Sequence, residues 1–153
     1  MSASIALREI SAATLKSLLA LDVAADQRRF VAPNAVSIAQ AHFEPAAWFR
    51  AIYADEAPVG FVMLYDPARA QAPERRDCVY IWRFMIDHRH QRCGYGRVAM
   101  QRVLDHARTL PGISSVRLSY VPGNDATAIF YRGLGFVETG EVDEGELVMS
   151  LSL

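Results

Sequence analysis

The run CVYIWRFMI at positions 78–86 limits the fold more than any other stretch, because it is apolar except for Arg83 and leads directly into QRCGYG. A strand this apolar needs cover on both faces, as strands inside α/β sheets have. After the glycine turn, Ala99, Met100, Val103, Leu104 and Ala107 recur at helical spacing through residues 96–110, and Pro111 and Gly112 end the stripe. The order is therefore a central strand, a tight turn and a long amphipathic helix.

The other elements follow from the same two periodicities. Residues 5–10 form a strand, and Ser11 caps a helix over 14–23 that places Leu15, Leu18, Leu19 and Val23 on one face. Pro33 and Asn34 break the chain, and 37–43 form a short second helix ending before Pro45. Residues 48–54 and 59–65 are strands joined by a turn at 55–58, and 66–77 is a polar loop. A strand at 115–121, a helix at 125–134 closed by Gly135, and strands at 136–142 and 146–151 complete the order β-α-α-β-β-β-α-β-α-β-β. The expectation is an α/β (α+β) fold with one domain over residues 1–153. It has a mixed sheet of about six to seven strands and about four helices, on both faces.

Composition removes several function classes. Lys plus Arg total 16 and Asp plus Glu 17, a formal net charge of −1 without the basic footprint of a nucleic-acid binder. No apolar run approaches the roughly 20 residues that span a bilayer, and Arg8 with Glu9 interrupts the N-terminus before a signal-peptide core forms. A cytoplasmic protein is expected, with Cys78 and Cys93 reduced.

The chemistry concentrates in Gln91, Arg92, Cys93, Gly94, Tyr95 and Gly96. Its glycines let main-chain N–H groups turn toward an anion, and the first turn of the following helix adds free donors and a positive dipole end. Arg92 and Arg97 add charge, so a diphosphate suits the segment; the plainer alternative is a sharp strand-to-helix connection. The chain lacks GxxxxGK[ST], and GxGxxG fails because Ala99 follows Gly94 and Gly96, so nucleotide hydrolysis and dinucleotide redox lose ground.

QRCGYG resembles the Q/R-x-x-G-x-G/A signature of the GNAT acyltransferase superfamily, and NDATAIFYRGLGF at 124–136 resembles its second motif. The element order is also similar to that fold, so the resemblance covers nearly the whole chain. FVAPNAVSIAQA (30–41), YIWRFMID (80–87) and LSYVPGN (118–124) are similar to stretches of bacterial spermine/spermidine acetyltransferases.

The resemblance implies that acetyl-coenzyme A lies between two splayed parallel strands, here 80–86 and 115–121. Phe84, Met85 and Ile86 would meet the acetyl and pantetheine groups through main-chain atoms, residues 92–97 would hold the diphosphate, and Asn124 would touch the cofactor from the last helix. An N–H near Met85 would polarise the thioester carbonyl. Tyr131, ordinarily protonated at neutral pH, would serve the departing thiolate as a proton donor. The implied reaction is direct attack of a primary amine on acetyl-coenzyme A, the favoured acceptor being a polyamine such as spermidine or spermine. Other amines, and a non-catalytic acyl-coenzyme A binding module, are the alternatives, and a homodimer is expected by analogy.

The base is not given by the sequence. YIWRF carries no carboxylate where some polyamine acetyltransferases have one; Glu44, Asp55 and Glu56 are left as candidates for a water-relayed base or for amine recognition, with a solvated surface position favoured for each. Arg83 is expected either to pair with an acid or to face the active-site gap, pairing being favoured, since an unpaired buried guanidinium is costly. His88, His90 and Cys93 fit no zinc spacing, so no metal is expected. Trp48, Tyr53, Phe61 and Trp82 read as core or acceptor-pocket aromatics, core being favoured.

Overall fold

The computed structural model describes residues 2–153. Seven strands form one sheet in the order β1-β2-β3-β4-β5-β7-β6. The elements are β1 (Ile5–Arg8), α1 (Leu15–Leu19), α2 (Asn34–Phe43), β2 (Ala47–Ala54), β3 (Ala57–Tyr65), β4 (Cys78–Ile86), α3 (Tyr95–Arg108), β5 (Ser115–Tyr120), α4 (Asp125–Gly133), β6 (Val137–Asp143) and β7 (Glu146–Ser152). Their order is the expected one. Only β4 and β5 run parallel; the other neighbours are antiparallel.

Both faces of the sheet are covered. Val79, Ile81, Val116 and Leu118 pack with Ala99, Met100, Val103, Leu104 and Ala107 of α3, the stripe expected from the sequence. On the other face Ala51, Tyr53, Phe61, Met63 and Met85 pack with Leu18 of α1. Each fully buried aliphatic or aromatic side chain of this kind contributes about 1.5–3 kcal/mol, so the two layers together dominate the stabilisation. Tyr53 and Phe61 are core as expected, whereas Trp48 is half-buried and stacks on His106 at 4.0 Å.

Two helices depart from expectation for identifiable reasons. The helix expected to reach Val23 stops at Leu19, because Asp22 is drawn away: its N–H donates to Asp87 Oδ2 at 2.9 Å and its carbonyl accepts from the His88 N–H at 2.9 Å. Leu21 and Val23 nonetheless stay buried in the extended segment. α2 begins at Asn34 rather than at 37, with the Pro33 carbonyl accepting from the N–H groups of Val36 and Ser37. Proline's fixed φ and missing N–H cost nothing at a helix start, so Pro33 opens this helix instead of excluding it.

The feature that creates a site lies between β4 and β5. They pair only from Cys78 with Ser115 to Ile81 with Leu118. At that level Trp82 is an extra residue in β4, because Leu64 of β3 pairs with Ile81 and Met63 with Arg83. Such a bulge bends its strand and strengthens the local twist. Beyond it β4 keeps β3 on one edge while β5 continues with β7 alone, so the two parallel strands separate.

Candidate active site

Separation of β4 from β5 leaves main-chain N–H and C=O groups on the facing edges without a ladder partner, in a cleft of about 2050 Å³. Ordinary small-molecule pockets occupy roughly 300–1,000 Å³, so this opening suits a long ligand or two ligands together. Trp82 to Ile86 form one wall, Ser119 to Val121 the other, and the glycine turn and the start of α4 close one end.

The turn has the geometry of an anion cradle. Arg92 and Gly94 both take positive φ, 63° and 81°, and Gly94 caps α3 without a side-chain hydrogen bond. Among the described residues, the N–H groups of Gly94, Tyr95, Gly96 and Arg97 donate to no acceptor; the first bond of the helix runs from Val98 to the Gly94 carbonyl at 3.4 Å. A Cβ on Gly96 would make only ordinary contacts with Ile86 and Phe130, so the turn conformation requires glycine at Gly94 and not at Gly96.

The expected cofactor residues fall into distinct positions. Arg92 is exposed on the cleft wall. The Arg97 guanidinium donates to the Gly133 carbonyl at 3.2 Å, where it satisfies the end of α4, so its main-chain N–H is what faces the turn. Gln91 Nε2 donates to the Ile86 carbonyl and to Gln27 Oε1, each at 2.9 Å, and thereby ties the end of β4 to the segment before α2. Cys93 lies outside the main cleft, on a small crevice beside Ser2, Ala3 and Ile5. Tyr95 borders both. Phe84, Met85 and Ile86 line the cleft, with Phe84 stacked on Phe130 at 6.1 Å. Asn124 precedes α4 and lines the cleft without a side-chain cap bond to hold it.

Tyr131 is 6% exposed and lines the cleft from the α3/α4 face. Phe130 and Phe136 meet its ring edge-on at 5.1 and 5.3 Å, which fixes its plane. Burial alone pushes its hydroxyl well above the usual tyrosine range, so the group keeps its proton throughout ordinary pH.

A residue that sequence reasoning missed steadies the end of β4. Asp87 is fully buried and accepts from the Asp22 N–H, the Arg89 N–H and the Arg89 guanidinium. Burial works to raise its pKa, but the Arg89 bond and the two amides outweigh that and hold it at about 2. Neighbouring His88 and His90 form a short turn, and no group of three or more metal-ligating side chains occurs among the described residues.

The opposite face of the cleft is polar. Arg83 takes the second of its two expected places, on the cleft and without an acid: its guanidinium donates to the Trp82 carbonyl at 2.9 Å and to Gln40 Oε1 at 3.2 Å, while Nε is buried without a partner among the described residues. The guanidinium is half-buried on the cleft wall, where desolvation lowers its pKa and partial exposure limits the penalty. The hairpin between β6 and β7 adds Glu141, Asp143, Glu144 and Glu146 to this wall. Arg117 neutralises Glu141 through a direct bond, and Glu146 accepts from Ser119 Oγ at 3.2 Å. Neither Ser119 nor Glu146 was singled out by sequence; alternation in SVRLSY could have placed Ser119 beside the gap.

The model of the Acetyltransferase (GNAT) family matches residues 15–136. The spermine/spermidine N(1)-acetyltransferase of Bacillus subtilis (strain 168) is 25% identical over 151 residues, covering 95% of this chain and 97% of that protein. A solved domain from Methanocaldococcus jannaschii DSM 2661 has a TM-score of 0.76 at 18% identity, covering 99% of each chain. PaiA N-acetyltransferase from Thermoplasma acidophilum, solved in complex with coenzyme A, has a TM-score of 0.70 at 16% identity over 98% of this chain and 99% of that one. At these identities the structural likeness carries the fold alone. No helix among the described residues is long and apolar enough to cross a membrane.

Proposed function

From the premise that this chain belongs to the Acetyltransferase (GNAT) family, we propose that its 153 residues act as one N-acetyltransferase domain on a primary amine, with a polyamine such as spermidine or spermine as acceptor. One observation carries this reading: β4 and β5 part beyond Ile81 and Leu118 next to a turn whose amides are unbonded. The diphosphate of acetyl-coenzyme A seats against the N–H groups of Gly94 to Arg97, and the pantetheine arm pairs with the open edge of β4 at Phe84 to Ile86. Asn124 meets the cofactor from the start of α4.

Tyr131 stands where the sulfur departs. Its raised pKa makes full proton transfer to a thiolate uphill, so it acts as a hydrogen-bond donor that stabilises charge developing on sulfur in the transition state. An aliphatic amine with a pKa near 10.4 loses about 4–5 kcal/mol on deprotonation at pH 7, so the acceptor side must supply a group that takes this proton. The acidic hairpin supports a cationic acceptor, as does the likeness to the Bacillus subtilis spermine/spermidine N(1)-acetyltransferase.

Thiol release from acetyl-coenzyme A, measured against a panel of polyamines, amino acids, peptides and amino sugars, tests the reading. Spermidine and spermine should lead the panel. Preference for another amine replaces the acceptor, and cofactor binding without thiol release from any amine would make the chain a binding module.

A further inference from the structure

We infer that Glu146 is the carboxylate that grips the ammonium of the acceptor and takes its proton, an assignment resting on the acetyltransferase reading above. Position comes first. Ser119, which donates to Glu146 Oε1 at 3.2 Å, is the first residue of β5 beyond its last pair with β4. The carboxylate therefore stands at the apex of the opening, where the acyl end of a thioester threaded between the strands comes to rest.

Its face comes second. Val116, Leu118 and Tyr120 enter the core beneath α3 and α4 together with Tyr131, so Arg117 and Ser119 project from the other side of the sheet. Tyr131 and Glu146 thus flank the gap from opposite faces, one toward the leaving sulfur and one toward the incoming nitrogen. Third, of the hairpin acids without a salt bridge among the described residues, Asp143, Glu144 and Glu146, it is Glu146 that Ser119 holds at the gap, and the nearby cations are engaged elsewhere: Arg117 is taken by Glu141, and Arg83 is held by Gln40 and the Trp82 carbonyl. Glu146 forms no salt bridge among the described residues, yet its charge acts on Tyr80 and Arg83 across the cleft. An ammonium group supplies the missing counter-charge.

In the reaction the ammonium proton passes to the Glu146 carboxylate and the nitrogen lone pair attacks the thioester carbon. The C–N bond forms, the nitrogen gives up its second proton to solvent, and the C–S bond breaks; coenzyme A leaves as a thiolate hydrogen-bonded to Tyr131 and takes up a proton from solvent, so that one proton is released overall. Glu146 then returns its proton to solvent.

Steady-state kinetics of Glu146→Gln with two acceptors test the assignment: spermidine, protonated at pH 7, and a weakly basic primary amine already free at that pH. The expected result is a fall in kcat/KM for spermidine of about 10²-fold or more. The fall for the weakly basic amine should be at least tenfold smaller, with acetyl-coenzyme A binding by calorimetry unchanged and Glu146→Asp partly restored. Equal losses for both amines, or no loss, would overturn the role of Glu146 and leave the acetyltransferase reading standing. Absence of turnover in the wild type with every amine would overturn both. If Glu146→Gln fails to fold, Ser119→Ala gives the same comparison: a several-fold loss confined to spermidine supports the role, and an equal loss for both amines removes it.

Discussion

Gly60 of β3 lies directly beneath the Met85 carbonyl of β4: a Cβ at position 60 would come within 2.4 Å of that oxygen. The obstacle is backbone rather than a flexible side-chain end, so the strand itself has to move. Gly60→Ala should cost about 1–3 kcal/mol by urea titration, as overpacking in a close-packed core does. Because Met85 borders the cleft, acetyl-coenzyme A binding should weaken in the same variant, and an unchanged urea midpoint would refute the close approach.

Tyr131→Phe keeps the ring between Phe130 and Phe136 and removes only the hydroxyl. Turnover should fall about 10²-fold or more, while the dissociation constant for acetyl-coenzyme A changes little. Since burial raises the pKa of this hydroxyl, its neutral form persists in the folded protein at pH values where a free tyrosine ionises. The wild-type rate should therefore show no alkaline loss attributable to Tyr131 up to about pH 10, the ordinary tyrosine value. A Tyr131→Phe variant with wild-type kcat would remove the hydroxyl from the mechanism.

Asp87 makes an acid-range prediction whose sign follows from its lowered pKa. The folded carboxyl titrates at about 2 and the unfolded one near 3.8. Its contribution is thus fully present above about pH 4 and lost as the pH falls toward 2, and the difference corresponds to about 2 kcal/mol. Asp87→Asn should lower stability by about that much at pH 7 and flatten the acid limb of the stability curve. Equal acid limbs in the two proteins would show that the Asp22 and Arg89 bonds carry no such weight.

The two glycines of the turn should behave differently. Gly94 has φ 81° with open space around its Cα, so Gly94→Ala should cost about 1 kcal/mol from backbone strain alone. Gly96 sits in the first turn of α3 with only ordinary contacts around a new Cβ, so Gly96→Ala should be neutral or raise stability by up to about 1 kcal/mol. Thermal melts of both variants separate the cases, and a large loss for Gly96→Ala would contradict the packing described.

Much of this was legible because it is written locally. The apolar run of β4, the stripe of α3, the glycine turn and the motif containing Tyr131 each lie within a few consecutive residues, and periodicity alone orders them. What escaped depends on partners distant in the chain. Truncation of α1 follows from Asp22 meeting Asp87, 65 positions away, and the seat of Glu146 follows from Ser119, 27 positions away, through the β5–β7 register. For Arg83 charge balance favours an acid over a place facing the gap, whereas Gln40 and a main-chain carbonyl take two of its donors on the cleft wall instead. Nothing inside CVYIWRFMI marks Trp82 as an extra residue, since no glycine or proline accompanies it.

That additional residue also resets the parity of β4. Upstream, the odd positions Val79 and Ile81 enter the layer beneath α3; downstream, Phe84 and Ile86 do so, and Met85 joins the opposite layer. Removing one residue at position 82 would therefore restore plain alternation, leaving Phe84 and Ile86 beneath α3 and Met85 in the opposite layer. The core would keep its occupants while the strands zipped shut, so this single deletion would trade the lateral opening for an unbroken ladder.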